Sequence, residues 1–292
     1  MTEAGDGTTG DAPVGDDACE PGGIPPIVHA PGTKLLSALP CFVVPDVQVT
    51  ADRLRDTLGF RTCFVIGDPG QQFGIVDLAE GQGFQLKSNG GAEGRRNAEN
   101  HRQAIDAYIR VPDADVACTI ARAAGAEILS EPTDQEWGMR EFGVRDADGM
   151  VFCYGADTSE PSTSAPITIA PELVVPDVGR AAAWYQHVLG FDDTDPWGDP
   201  PVYAIARRDG VRVHLSAAKP PFEPRPNRTA DDIWDVYVEC EGVDALCEEV
   251  RARGAAIARE PVTQEYQMRE FDVLDMDGYV ICFGETADTD VG

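Results

Sequence analysis

Two glutamates stand in matching places in two copies of one stretch. Glu131–Ala156 reads EPTDQEWGMREFGVRDADGMVFCYGA and Glu260–Glu285 reads EPVTQEYQMREFDVLDMDGYVICFGE, so Glu141 and Glu270 are equivalent. Glu270 lies two residues after Met268 and two before Asp272; partial burial and a like charge at that spacing would raise its pKa and suit it to take a proton from a ligand. The structural reading of the same residues is that Glu141 and Glu270 pair with a cross-strand arginine such as Arg140 or Arg269, and a motif kept in both copies favours that shared role. Trp137 and Tyr266 also match, just ahead of the glutamates, and Trp197 sits in the loop Asp192–Pro200. Aromatic side chains beside carboxylates suit a flat or cationic ligand, and they suit the packing of a junction between modules equally well. No P-loop, nucleophile elbow or dinucleotide-type glycine pattern occurs.

A repeat this close means duplicated structure. In Met139–Val144 and Met268–Val273 apolar residues tend to alternate with polar ones, the period of a half-buried strand. Asp148-Gly149 and Asp277-Gly278 follow, and an Asp-Gly pair between two such runs marks a hairpin because glycine supplies the positive φ. The returning strands are Val151–Tyr154 and Val280–Phe283.

With 292 residues, 42% of them hydrophobic, the chain can bury a full core, and the length suits about two domains. A formal charge of −28, from 51 acidic against 23 basic residues, opposes binding to nucleic-acid phosphates or an anionic membrane. No secretory signal and no bilayer-spanning apolar run is present, which predicts a cytoplasmic protein. The eight cysteines form no CxxC pair, so they are expected reduced and buried as small hydrophobes.

Residues 1–36 are rich in Gly, Pro, Thr and Asp without apolar period, and are expected disordered or loosely packed, with His29 a solvated tail residue. A first domain then spans 37–156, a Ser/Thr/Pro-rich linker 157–166, a second domain 167–286 and a tail 287–292. Within the first, strand Leu39–Val44, helix Thr50–Leu58 closed by Gly59, and strands Arg61–Ile66, Gly74–Leu78 and Phe84–Lys87 come first. After a Gly/Asn-rich loop holding His101, strand Ala104–Val111, helix Ala114–Ala124 and strand Glu127–Ser130 lead into the hairpin. The order repeats in the second domain, where Val175-Pro176-Asp177-Val178 matches Val44-Pro45-Asp46-Val47 and Leu189-Gly190-Phe191 matches Leu58-Gly59-Phe60.

These linked features, V-P-D-V before a helix ending L-G-F, the β-α-β-β-β order four times, and M-R-E-F-x-V-x-D-x-D-G before the last strand, resemble the vicinal oxygen chelate superfamily, which includes glyoxalase I, bleomycin-resistance proteins, fosfomycin-resistance enzymes and extradiol dioxygenases. The resemblance covers roughly residues 37–286 and implies an α+β fold of four βαβββ modules forming two cup-shaped mixed sheets, helices outside, one cup to each domain. Strand alternation then turns Ala107, Ile109 and Val111 to a helix and Asp106, Tyr108 and Arg110 into the cup; in the second copy Trp234, Val236 and Val238 face out, and Asp235, Tyr237 and Glu239 in. Gln85, Lys87, Arg212, His214 and Ser216 also take the cup side.

Metal-dependent members take ligands from four inward positions, which the resemblance places at Leu39, Gln85, Asp106 and Cys153 in the first domain and at Ala170, His214, Asp235 and Cys282 in the second. Leu39 and Ala170 cannot bind a metal, and cysteine replaces the last-strand glutamate twice. The expectation is therefore no cofactor, with a divalent ion held by His214, Asp235 and Cys282 as the alternative. The leading functional expectation is a protein binding a small organic molecule in one or both cups through Asp106, Tyr108, Trp137, Trp197, His214, Asp235, Tyr237 and Tyr266, with Glu141 and Glu270 the candidate acid–base residues. A metal-dependent lyase, isomerase or dioxygenase is the second reading, and a structural or partner-binding role the third. A monomer with pseudo-twofold paired domains and a homodimer both fit the repeat.

Overall fold

The computed structural model describes residues 27–88, 90, 97, 104–159, 165–219, 226–227 and 233–287. Outside them lie residues 1–26, most of the loop from 89 to 103 with His101, residues 160–164 of the linker, residues 220–225 and 228–232, and the tail from 288.

Four modules follow one another. The first is β1 (Lys34–Val43), α1 (Val47–Leu58), β2 (Arg61–Ile66), β3 (Phe73–Ala79) and β4 (Gln82–Lys87); the second is β5 (Ala107–Arg110), α2 (Ala114–Ala123), β6 (Glu127–Asp134), β7 (Met139–Arg145) and β8 (Val151–Asp157). The third is β9 (Thr168–Val175), α3 (Val178–His187), β10 (Tyr203–Arg208) and β11 (Val211–Ala217), and the fourth is β12 (Val236–Glu241), α4 (Val243–Ala252), β13 (Ala256–Thr263), β14 (Met268–Leu274) and β15 (Val280–Thr286). In the third module one strand is reduced to single bridges, Asp193 to Arg207 and Trp197 to Tyr203. Pro196, Pro200 and Pro201 explain this, since proline has no N–H to give a ladder.

The V-P-D signature is a helix start. Asp46 caps α1 by accepting a hydrogen bond from the Val49 amide, and Asp177 caps α3 through the Arg180 amide. Gly59 ends α1 in the left-handed conformation at φ 76°.

The strands form an eight-stranded sheet, β13-β14-β15-β12-β1-β4-β3-β2, and a seven-stranded one, β10-β11-β9-β5-β8-β7-β6. The first joins the first and fourth modules and is called here the terminal cup; the second joins the second and third modules and is called the central cup. Each cup is therefore shared between the two domains, where the sequence suggested one cup per domain. The seams are antiparallel: Lys34 to Pro40 of β1 run beside Glu241 to Val236 of β12, and Ala107 to Arg110 of β5 beside Pro171 to Thr168 of β9. The apolar cores divide the other way. One cluster packs Val47, Leu54, Phe84, Ile109, Phe142 and Phe152, from the first two modules, and the other packs Val178, Tyr185, Leu215, Val238, Leu246 and Phe271, from the last two. Helices thus cover the backs of the sheets within a domain, while the concave faces are completed across domains.

Residues 27–33 are held against the protein, although Val28, Pro31 and Gly32 stay exposed. The His29 ring bonds Glu249 through Nδ1 (3.2 Å) and Asp192 through Nε2 (2.9 Å), and β1 begins at Lys34. Buried Arg208 meets the same Glu249 carboxylate at 3.1 Å, so this acid organises the N-terminal stretch.

Candidate functional site

The repeated M-R-E-F motif resolves into four roles along one strand. Phe142 and Phe271 face the cores. Arg140 and Arg269 turn to the helix starts, where they bind Asp115 of α2 and Asp244 of α4, both at 2.6 Å. Neither arginine is the partner of the neighbouring glutamate, contrary to the structural reading of the sequence. Glu141 and Glu270 point into the cups, where the phenol of Tyr108 donates to Glu141 Oε1 (2.7 Å) and that of Tyr237 to Glu270 Oε1 (3.0 Å). Glycine makes this approach possible: a Cβ on Gly155 would overlap the Tyr108 hydroxyl, and one on Gly284 the Tyr237 hydroxyl. The mouth aromatics complete the set, with Trp137 Nε1 donating to Glu141 Oε1 (3.0 Å) and Tyr266 Oη to Glu270 Oε2 (2.8 Å). Both rings remain exposed, at 62% and 58%.

Around this shared triad the cups differ. In the terminal cup Arg259 lies 3.3 Å from Glu270 and makes a two-pronged bond to Asp272, both contacts 2.8 Å. Glu270 is 1% exposed, and its charge is answered within the protein. Trp234 reaches the Gln85 side-chain oxygen at 2.6 Å and packs with Met268 on Leu39, Tyr237 and Cys282. It thus fills the terminal cup, whereas strand alternation had turned it outward.

The central cup carries Ser130 and Gly143 where the terminal cup has Arg259 and Asp272, and no cation meets Glu141 among the described residues. Facing Glu141 across the sheet are β9, β10 and β11 of the third module. Ser216 Oγ donates to Glu172 Oε1 (2.7 Å), and the Tyr203 hydroxyl is 2.5 Å from His214 Nδ1. The His214 ring centroid lies 5.1 Å from that of Tyr108, which closes the group. Burial pushes Glu172 up to about 8, with Asp106 and Glu141 adding to the shift, and burial with the charges of Arg212 and Arg207 pulls His214 down to about 3. Near neutral pH Glu172 is protonated and His214 uncharged. A neutral imidazole that accepts the Tyr203 proton at Nδ1 carries its own hydrogen on Nε2. Burial, and then Glu141 and Glu172, raise Cys153, which therefore stays a thiol.

Asp106 and Asp235, expected to face a ligand, accept hydrogen bonds from main-chain amides. Asp106 accepts from the amides of Asn97 and Val151, each at 2.8 Å, and Asp235 from those of Asn227 (2.6 Å) and Val280 (2.8 Å). They tie the entrance of each module's first strand to its last strand. The metal alternative of His214, Asp235 and Cys282 does not assemble, because His214 belongs to the seven-stranded sheet, while Cys282 and the strand after Asp235 belong to the other. Grouping the family's inward positions by cup does not restore a ligand set: Ala170, His214, Asp106 and Cys153 fall together, but Asp106 is engaged by its amides and His214 Nδ1 by Tyr203. Among the described residues no group of three or more His, Cys, Asp and Glu is arranged to hold a metal ion. Trp197 is 65% exposed and meets Tyr203 through main-chain hydrogen bonds.

Glu172 and Tyr203 escaped the sequence reading. The signal for Glu172 was a lone acid in the apolar run Ile169–Val175, and for Tyr203 its place on the same face as Ile205 and Arg207.

The chain belongs to the glyoxalase/bleomycin resistance protein/dioxygenase superfamily, whose family model matches residues 36–154 and again 167–283. Among solved structures it is similar to glyoxalase I from Zea mays, with TM-score 0.63 and 18% identity over 87% of this chain and 92% of that one. A Bacillus subtilis protein provisionally called a dioxygenase gives TM-score 0.61 and 12% identity over 87% and 86%. At such identities the likeness concerns the fold. No curated protein sequence matches this chain. No described helix is long and apolar enough to cross a membrane.

Proposed function

We propose that this protein binds a small organic molecule in the central cup, and that the terminal cup is a structural counterpart. One observation carries the reading: Glu141 is held by Tyr108 and Trp137 with no cation among the described residues and faces Glu172, Ser216, His214 and Tyr203, whereas its equivalent Glu270 is buried against Arg259. A half-buried carboxylate with a fixed orientation, whose second oxygen has no hydrogen bond among the described residues, is available to a ligand. Protonated Glu172 on the opposite wall adds an acid, so a ligand between them meets a proton acceptor and a proton donor. That pairing favours proton transfer on the bound molecule, an isomerase-type or lyase-type step, as a second reading. Among the described residues no His, Cys, Asp and Glu group is arranged for a metal, and no step is assigned to one.

The test is thermal unfolding of the full chain across a panel of small carbonyl compounds, aromatic acids and antibiotics, since a ligand of the folded state raises the midpoint by mass action. A stabilising compound whose effect disappears in Glu141→Gln and persists in Glu270→Gln supports the assignment. A hit that needs Glu270 and ignores Glu141 moves the site to the terminal cup and refutes it.

A further inference from the structure

The charge inside the central cup is uneven, and its most unusual member is Arg212. It lies on β11 two residues before His214, hence on the same face, and opposite Arg207 in the β10–β11 register. Arg110, two residues after Tyr108 on β5, lies on its other side across β9, close enough for its charge to act on Arg212. Three guanidiniums therefore converge on one side of the cup. Arg110 has Asp157 at 3.1 Å, and Arg207 has Asp193 at 3.0 Å and Asp195 at 3.8 Å. Arg212 is half-buried and forms neither an ion pair nor a side-chain hydrogen bond among the described residues. Exposed Arg180 also forms no ion pair, but water serves it freely.

In a chain with 51 acidic and 23 basic residues, a carboxylate for Arg212 is not scarce. Burial, together with the charges of Arg110 and Arg207, lowers its pKa, which measures how poorly the site suits a lone cation. A fork of donors left half-desolvated between two like charges is a cost to the free protein that a bound oxyanion would remove. The carboxylates nearby do not compete. Glu172 is protonated near neutral pH, and Glu141 lies on β7, with β9, β5 and β8 between it and β11.

We propose that Arg212, flanked by Arg110 and Arg207, is an oxyanion-binding end of the central cup, and that its ligand is an organic carboxylate or phosphate whose apolar body lies over Tyr108, His214 and Tyr203. The inference depends on the central cup being the ligand site. It adds the charge class of the ligand and its orientation, acid group toward β11 and the rest toward Glu141.

The experiment is calorimetric titration of the full chain and of Arg212→Gln, Arg212→Lys and Glu141→Gln with benzoate, phenyl phosphate and benzamide. Benzoate and benzamide share a shape and differ in charge. The expected result is that at least one anion binds the parent about tenfold or more tightly than benzamide, that Arg212→Gln removes this preference, and that Arg212→Lys keeps part of it. Affinity for the anion should also fall as salt rises from ~20 to ~500 mM. Whichever of benzoate and phenyl phosphate binds more tightly identifies the head group. Without ligand, Arg212→Gln should melt at or above the parent, because it removes a half-buried charge that has no partner among the described residues. Equal binding of all three probes, unchanged in Arg212→Gln and lost in Glu141→Gln, overturns the oxyanion assignment while leaving the central cup as the ligand site. Binding of the anions that survives in both variants, or no binding of any probe to the parent, overturns the assignment as well; the wider panel with Glu141→Gln then judges the cup separately.

Discussion

In the terminal cup Glu270 meets Tyr237, Tyr266 and Arg259, while in the central cup Glu141 meets Tyr108 and Trp137 and, among the described residues, no cation. The scaffold of the contact is the same: a tyrosine from the module's first strand, a glutamate from its third, and a glycine between them that lets the phenol lie flat. What differs is the filling. Arg259 and Asp272 stand where Ser130 and Gly143 do in the other cup, Trp234 reaches Gln85, and Cys41 and Gln85 occupy the places of Glu172 and His214. Duplication thus kept the parts that hold strands together and let the interiors diverge. One cup became a packed, charge-balanced wall, and the other kept donors, acceptors and a cation that forms no ion pair among the described residues.

The sharpest way to break this comparison is to remove the arginine from each cup. Arg259→Met leaves Glu270 and Asp272 without a cation and should cost about 3 kcal/mol in urea unfolding, whereas Arg212→Gln should cost nothing. Adding Glu270→Gln to Arg259→Met should recover much of the loss, because the stranded buried charge is then gone. A comparable loss in Arg212→Gln would show the two cups to be built alike.

The next effect is a pH dependence specific to the central cup. Glu172 sits at about 8 in the folded protein against an ordinary 4.5, so between these values the folded state keeps a proton that the unfolded state releases. Its contribution to stability is therefore greatest below about 4.5 and declines as pH rises toward about 8. Glu172→Gln should remove that decline, improving stability at pH ~8 relative to pH ~5 by on the order of 2 kcal/mol compared with the parent. Asp235, also pushed up to about 8 by burial, contributes the same slope to both proteins and cancels from the difference.

Ligand affinity should separate the cups more modestly. For a compound found by the panel, Glu141→Gln should weaken binding about tenfold, or ~1.4 kcal/mol, and Glu270→Gln should leave calorimetric affinity within error. The smallest expected difference is at the mouths, where Trp137→Leu should weaken the same ligand roughly threefold and Tyr266→Leu should not change it.

Much of the scaffold was legible because it follows local rules. Alternation correctly sorted Ala107, Ile109 and Val111 to the core and Tyr108 to the cup, and Gly59 and the Asp-Gly turns fell where their backbone demands them. Trp234, just ahead of β12, defeated the same rule: it packs on Leu39, Tyr237 and Cys282, although the main chain at Asp235 is already bonded to Val280 and Cys41. The partner of Glu270 was misread for another reason. Arg269 is adjacent in sequence but on the other face of its strand, whereas Arg259 arrives from β13, whose register shifts between Arg259 and Val262. A bulge re-aims a side chain without a compositional mark.

The amino-acid sequence alone determined that four similar modules exist, where their strands and caps lie, and which residue types each strand offers to its two faces, since propensity, alternation and capping act within a few residues. Only the tertiary structure decided which modules share a cup. The seams between β1 and β12 and between β5 and β9 are joined by main-chain hydrogen bonds that any residue other than proline can make in full, so no side chain announces them. That choice brings His214 to Tyr108 instead of Asp235, divides the residues that would have suited a metal between two sheets, and sets Arg212 beside Arg207 with no ion pair of its own among the described residues.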